Sequence, residues 1–226
     1  MADQRVGILV FPDVQQLDLT GPFEVFASTP GLSVELVGKS TQPLRSASGL
    51  ILAPDQTLAS ALPYDVICVP GGVGVNALLD DQSILTFLRA QAETARFVTS
   101  VCTGSLVLGA AGLLTGRQAT THWASHDLLA AFGARPTAAR VVRDGKFFTG
   151  GGVTAGIDMA LTVVAEIFDQ ATAEAVQLAL EYAPAPPFGA GHPTSAPPAV
   201  LARVRERGKA VRLAREAIIS RLGAPR

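Results

Sequence analysis

Residues 96–109, Arg-Phe-Val-Thr-Ser-Val-Cys-Thr-Gly-Ser-Leu-Val-Leu-Gly, constrain the fold more than any other stretch of the chain. Residues 97–101 are β-prone and mostly apolar, as a short buried strand should be. Leu106, Val107 and the Gly/Ala/Leu run after them favour a packed helix. Cys102 falls at the corner between the two, where a sharp turn pushes its side chain into a cleft. The first amides of a helix lack internal partners, and with the helix dipole they favour an anion. A thiol there is biased toward thiolate, and the same amides could hold a developing oxyanion. The competing reading is that Cys102 is a small buried hydrophobe, as most free cysteines are.

The rest of the chain repeats the strand-then-helix pattern. Residues 6–11 read as a buried first strand stopped by Pro12-Asp13. Pro22 can open the next helix, because proline is tolerated in a first turn. That puts Asp18 just before the helix and beyond the strand's carboxyl end, where α/β sheets bind ligands; as a cap or turn residue, Asp18 would need no chemistry. Residues 33–38, 50–53 and 65–70 read as further strands. Cys68 lies inside the last of these and reads as core. A helix follows over 78–95, broken near Asp80-Asp81.

After the elbow, Gly116 is placed to cap its helix, and Ala119-Thr120-Thr121 leads to His122-Trp123. Residues 127–132 form a short helix stopped by Gly133, and residues 140–149 a hairpin around Asp144-Gly145. Gly150-Gly151-Gly152 then opens a helix to about Phe168, and another runs from Thr172 to about Tyr182. Six prolines between 184 and 198 cannot sit inside a helix and mark a semi-rigid connector. A last helix over 199–222 carries Leu201, Val204, Val211, Ala214 and Ile218 near helical spacing, with its arginines on a solvated face. The alternation over 6–168 predicts an α/β fold: a flavodoxin-like, doubly wound, mostly parallel sheet with a nucleophile elbow, an added hairpin and a C-terminal helical arm. Domain limits are expected at 1–183 for the α/β domain and 184–226 for the connector and arm, packed on the same domain or on a partner subunit.

Composition removes several classes. A net charge of −1 gives no general pull on nucleic acid or acidic membranes. Two cysteines in separate strand-like contexts suggest neither a disulfide framework nor a zinc site, and a reduced compartment follows. No apolar run reaches the length of a membrane helix, and no signal-peptide pattern opens the chain. The expectation is a cytoplasmic protein without nucleic-acid or membrane partners. Gly72-Val-Gly74-Val-Asn-Ala77 mimics a dinucleotide fingerprint, but it follows a later strand and lacks the acidic strand end about 20 residues on. Bare backbone at Gly71-Gly72, letting an amide approach a ligand, explains these glycines better.

Four motifs in order, Pro70-Gly71-Gly72, Val101-Cys102-Thr103-Gly104, Thr120-Thr121-His122-Trp123 and Gly151-Gly152-Val153-Thr154-Ala155-Gly156-Ile157-Asp158, resemble the ThiJ/PfpI superfamily, whose fold is related to the class I glutamine amidotransferases. The resemblance spans about residues 5–183. Phe11-Pro12-Asp13 followed by Leu17-Asp18-Leu19-Thr20-Gly21-Pro22, the elbow threonine and the proline-rich arm resemble the branch that hydrates isonitriles. Other branches carry a glutamate in place of Asp18, a histidine directly after the cysteine, or a late His-x-Glu pair. Regulators with a similar elbow continue into two helix-turn-helix units, and this chain is expected to lack them.

The resemblance implies a hydratase with Cys102 as nucleophile, Asp18 as acid and base, and Thr103 as water-positioning hydroxyl. The amides of Gly72 and Thr103 would hold the polar intermediate. Ile157 and His122 would line the substrate pocket, with a small-molecule isonitrile as substrate, no metal or organic cofactor, and a homodimer as the assembly. Two alternatives use the same cysteine: a glyoxalase or deglycase acting on dicarbonyls, and a non-enzymatic redox sensor.

Overall fold

The computed structural model describes residues 4–223; the outermost residues of both expected domain ranges, 1–3 and 224–226, lie outside it. In chain order the elements are β1 (Gln4–Leu9), α1 (Gln16–Ala27), β2 (Leu32–Gly38), β3 (Leu44–Arg45), β4 (Ile51–Leu52), β5 (Gln56–Thr57), β6 (Val66–Val69), α2 (Val75–Leu78), α3 (Gln82–Thr94), β7 (Phe97–Val101), α4 (Gly104–Ala110) and β8 (Gln118–Ala119). A 3₁₀ segment (Trp123–Phe132) follows, then β9 (Arg135–Pro136), β10 (Val141–Asp144), β11 (Phe147–Gly150), α5 (Ala155–Ile167), α6 (Gln170–Ala179) and α7 (Pro198–Leu222).

Seven strands form one sheet in the order β10-β11-β7-β6-β1-β2-β5, parallel except for the β10–β11 hairpin. β6, β7 and β11 are buried at every residue, which is why they read as continuous apolar runs rather than alternating ones. From β1 the chain winds through α1 to β2 on one side, then through β6 and α3 to β7 on the other. Right-handed crossovers therefore put α1 and α3 on opposite faces. α1 packs on α5, which also packs on α6; α4 packs on α2, α3 and the 3₁₀ segment. The doubly wound sheet expected from the sequence is the fold observed.

Several local expectations are corrected. α1 begins at Gln16, so Asp18 lies in its first turn, and Pro22 is interior rather than its opener. Pro22 cannot donate to the Asp18 carbonyl one turn earlier. The helix tolerates this where the ring packs at the α5 contact: a Cβ on Gly156 would lie 3.0 Å from it. The elbow helix stops at Ala110, well before Gly116, and Gly112 takes up the left-handed conformation just beyond it. Residues 51–52 pair with 44–45 in a separate small ribbon and do not join the main sheet. The hairpin turns on Gly145-Lys146, because Asp144 still pairs with Phe147.

The arm also differs from its pattern. In α7 the buried residues are Arg215 and Ile219, while Val204 and Ala214 are exposed. The second half of α7 packs on the 3₁₀ segment and α2; residues 202–210 stay exposed. Among the described residues no helix is long and apolar enough to cross a membrane.

Candidate active site

β1, β6 and β7 are neighbours, run parallel and end at one edge of the sheet. The chain reverses its winding direction at β1, and such switch points leave a crevice at the strands' carboxyl ends. Cys102 follows β7 there, Gly71 and Gly72 follow β6, and Asp18 arrives from the first turn of α1.

Cys102 holds a left-handed backbone with φ of 55°. For a residue with a side chain this costs about 1–3 kcal/mol and persists only where the surroundings enforce it. They do so from two sides. The Cys102 N–H donates to the Gly150 carbonyl at 3.0 Å, and its own carbonyl accepts from the Thr121 hydroxyl at 2.7 Å. Gly104 completes the elbow, since a Cβ there would lie 2.0 Å from the Val69 carbonyl oxygen.

Asp18 is fully buried. Its Oδ2 accepts from the Gly71 N–H at 2.9 Å. Its Oδ1 makes no hydrogen bond of ordinary length, and the remaining neighbour acting on the carboxyl is the Cys102 sulfur. Burial raises the Asp18 pKa from 3.8 to about 7, against the pull of the Gly71 N–H and the cysteine. Burial also pushes the Cys102 thiol well up, and the charge of Asp18 adds to it, against the hydrogen-bonding pull of Thr103. The expected thiolate bias of the elbow is therefore corrected. The Thr103 amide acts in the expected direction, but the cysteine is only 6% exposed and desolvation outweighs it. Two adjacent acids in a site this dry do not both ionise: below about pH 7 each keeps its proton, and above it the pair keeps one.

Thr103 is also placed differently from expectation. Its hydroxyl accepts from the Gly72 N–H at 3.1 Å and faces the Gly72 carbonyl at 3.3 Å. The Gly72 amide is thus engaged by Thr103 and is not a free oxyanion donor; the Thr103 N–H is the one aimed at the sulfur. Gly71 joins the two groups, because a Cβ on it would meet the Thr103 nitrogen at 2.6 Å and Asp18 Oδ2 at 2.8 Å.

His122 does not contact the cysteine by a hydrogen bond. Its Nδ1 accepts from the Ala124 N–H at 3.3 Å and caps the 3₁₀ segment. Burial, with the nearby Arg215 charge, lowers its pKa and keeps the ring neutral. Ile157 packs against Gly21 in the α1–α5 contact and lines neither of the two clefts beside the site. The nearer cleft, about 760 Å³, is floored by Thr120, Thr121, Gly151 and Gly152 and edged by His192 of the connector. Thr121 also bonds the Cys102 carbonyl, so this cleft adjoins the elbow, although neither Cys102 nor Asp18 lines it. His122 lines it, as expected for a pocket residue.

Sequence reasoning missed Arg215. It is 5% exposed, and its guanidinium bonds Asn76 Oδ1, the Ser125 hydroxyl and the Gly72 carbonyl. Its place in an arginine-rich helix marked it as solvated, and no local signal separated it from its neighbours.

Fold, elbow and the Gly71–Asp18–Cys102 contact define a cysteine-elbow α/β protein, and the chain belongs to the DJ-1/PfpI family, whose model matches residues 4–166. It is 59% identical over 203 residues to an isonitrile hydratase of Pseudomonas putida, covering 90% of this chain and 89% of that one. A ThiJ/PfpI family protein from Pseudomonas syringae superposes with a TM-score of 0.93 at 43% identity, covering 97% of this chain and 91% of the other. A glutathione-independent glyoxalase of Caenorhabditis elegans is 27% identical over 168 residues, 73% of this chain and 89% of the relative.

Proposed function

We propose that this protein hydrates a small isonitrile to an N-substituted formamide, with Cys102 as nucleophile and Asp18 as acid and base. The observation that carries the reading is the buried Asp18–Cys102 pair, in which a carboxyl fixed by the Gly71 N–H and raised in pKa by burial sits beside the elbow nucleophile. The terminal carbon of an isonitrile needs both at the same atom. The 59% identity to an isonitrile hydratase over nearly the whole chain supports the choice of substrate class.

Asp18 takes the proton from the Cys102 thiol and passes it to the isonitrile carbon as the sulfur bonds there, giving a thioimidate, R–N=CH–S–Cys102, and an ionised Asp18. Asp18, now ionised, takes a proton from water as the oxygen adds to the same carbon. Asp18 returns that proton to the nitrogen, the C–S bond breaks as the O–H proton of the adduct passes to the sulfur, and R–NH–CHO leaves with the thiol and the ionised Asp18 restored. The Thr103 N–H faces the sulfur and is the donor for charge at the reacting carbon. Gly72 acts through Thr103, fixing its hydroxyl rather than bonding the intermediate. His122 contributes a neutral wall.

The dicarbonyl reading uses the same pair and shares a distant relative. The redox-sensor reading requires an exposed, easily ionised thiol, and Cys102 is 6% exposed with its thiol pushed up. The assembly we propose is a cytoplasmic homodimer, for which exposed Leu178, Phe188 and the free half of α7 supply unpartnered surface.

The test is formamide production from a small aliphatic isonitrile, followed by chromatography for wild type and Cys102→Ala. Product from wild type alone supports the reading. Equal product from both removes covalent catalysis, and product from neither removes the substrate class.

A further inference from the structure

We infer that Arg215 is a positioning residue of this site: the C-terminal helix delivers a fixed positive charge that holds the Gly72 turn and balances the anion formed at Cys102. The inference rests on the reading of Cys102 as nucleophile, but its test does not use isonitrile turnover.

The geometry is unusual for an arginine. Its guanidinium comes from α7, 90 to 143 residues away in sequence, to bond three neutral groups: Asn76 Oδ1 at 2.8 Å, the Ser125 hydroxyl at 2.9 Å and the Gly72 carbonyl at 3.3 Å. Among the described residues it forms no salt bridge. Its neighbour Arg212 behaves ordinarily, with Asp127 and Glu216 as partners. A buried charge without a counter-ion is costly, so a fold that keeps one needs an anion nearby. The single acidic group whose charge favours Arg215 is Cys102.

The Gly72 contact gives the second half of the role. Gly72 has φ of 132°, and its N–H and carbonyl both meet the Thr103 hydroxyl. Arg215 pulls on that same carbonyl, so one guanidinium fixes the turn that fixes Thr103. The arm is thereby part of the site although it lies outside the sheet.

The groups that act on the Cys102 thiol are Asp18 from α1 and Thr103 at the elbow; Arg215 from α7 feels Cys102 and Arg212 and acts in turn on His122, the cap of the 3₁₀ segment. Arg212 is neutralised by its own carboxylates. His122 is held neutral. Arg215 is the cation left to act on the Asp18–Cys102 pair.

The experiment is ultraviolet titration of the Cys102 thiolate in the full chain, as a difference against Cys102→Ala, which removes the background of Cys68 and the tyrosines. Arg215→Met should raise the apparent thiol pKa by about one unit, a tenfold smaller thiolate fraction at a fixed lower pH. Arg215→Lys should restore most of it. Asn76→Asp gives up the bond from Asn76 Nδ2 to the Val211 carbonyl but hands the guanidinium a carboxylate, so it should also raise the pKa even if Arg215→Met fails to fold. An unchanged titration in either folded variant overturns the inference. A normal titration shift with no isonitrile turnover would instead count against the substrate reading alone.

Discussion

Gly71→Ala tests the packing of the site more sharply than removal of any reactive group. The added Cβ would lie 2.6 Å from the Thr103 nitrogen, 2.7 Å from its hydroxyl and 2.8 Å from Asp18 Oδ2, where ordinary contact begins at 3.4 Å. Gly71 is outside the left-handed region, so alanine suffers no backbone strain of its own. The clash must be relieved by moving Thr103 or Asp18 by roughly 0.8 Å, and both are held by hydrogen bonds to residues 71 and 72. Displacements near 1 Å cost on the order of a hundredfold in rate. Overpacking of this size costs about 1–3 kcal/mol, a melting shift of a few degrees per kcal/mol for a chain of this length. The expected result is a folded protein, somewhat less stable, whose kcat for formamide formation falls about a hundredfold. The assay pairs thermal melting with chromatographic turnover. Wild-type kcat in a folded Gly71→Ala protein would refute the claim that Asp18, Gly71 and Thr103 form one close-packed unit.

Other expectations follow from the same geometry. Asp18→Asn should lose about a hundredfold or more in turnover, because an amide cannot exchange the proton, while Asp18→Glu keeps part of the rate; wild-type kinetics in the asparagine variant would remove Asp18 from the chemistry. The folded Asp18 carboxyl keeps its proton up to about pH 7, whereas an unfolded one releases it near pH 4. Its stabilisation is therefore full below about pH 4 and is lost as pH rises through 7. Wild type should lose melting temperature relative to Asp18→Asn across that window, and a constant gap would contradict the raised pKa. Gly208→Ala, in open space on α7, should stabilise by about 0.5–1 kcal/mol without altering turnover, a control that glycine replacement as such is harmless.

The elbow was legible because its strand, corner and small-residue helix are adjacent in sequence, and local pattern reports local structure. Pro70-Gly71-Gly72 was legible as bare backbone, although its purpose differs: Gly71 makes room for Asp18 and Thr103, and the Gly72 amide is engaged by Thr103. The sequence puts Asp18 at the correct edge of the sheet but outside its helix, because a proline such as Pro22 is favoured in a first turn. Only the α1–α5 contact shows why a proline survives inside α1. The sign of the thiol shift was not legible, since the helix-end effect is local while burial is made by elements distant in sequence. Arg215 was invisible for the same reason. Periodicity assigned α7 a buried stripe through Val204 and Ala214, and the stripe that packs instead runs through Arg215 and Ile219.

The most direct test of the central claim is the intact mass of wild-type protein acid-quenched during a single turnover with a small aliphatic isonitrile. The account predicts a transient gain equal to one isonitrile, mapped by peptide digestion to Cys102 and missing in Cys102→Ala. Formamide appearing at full rate with Cys102 unmodified throughout would contradict it.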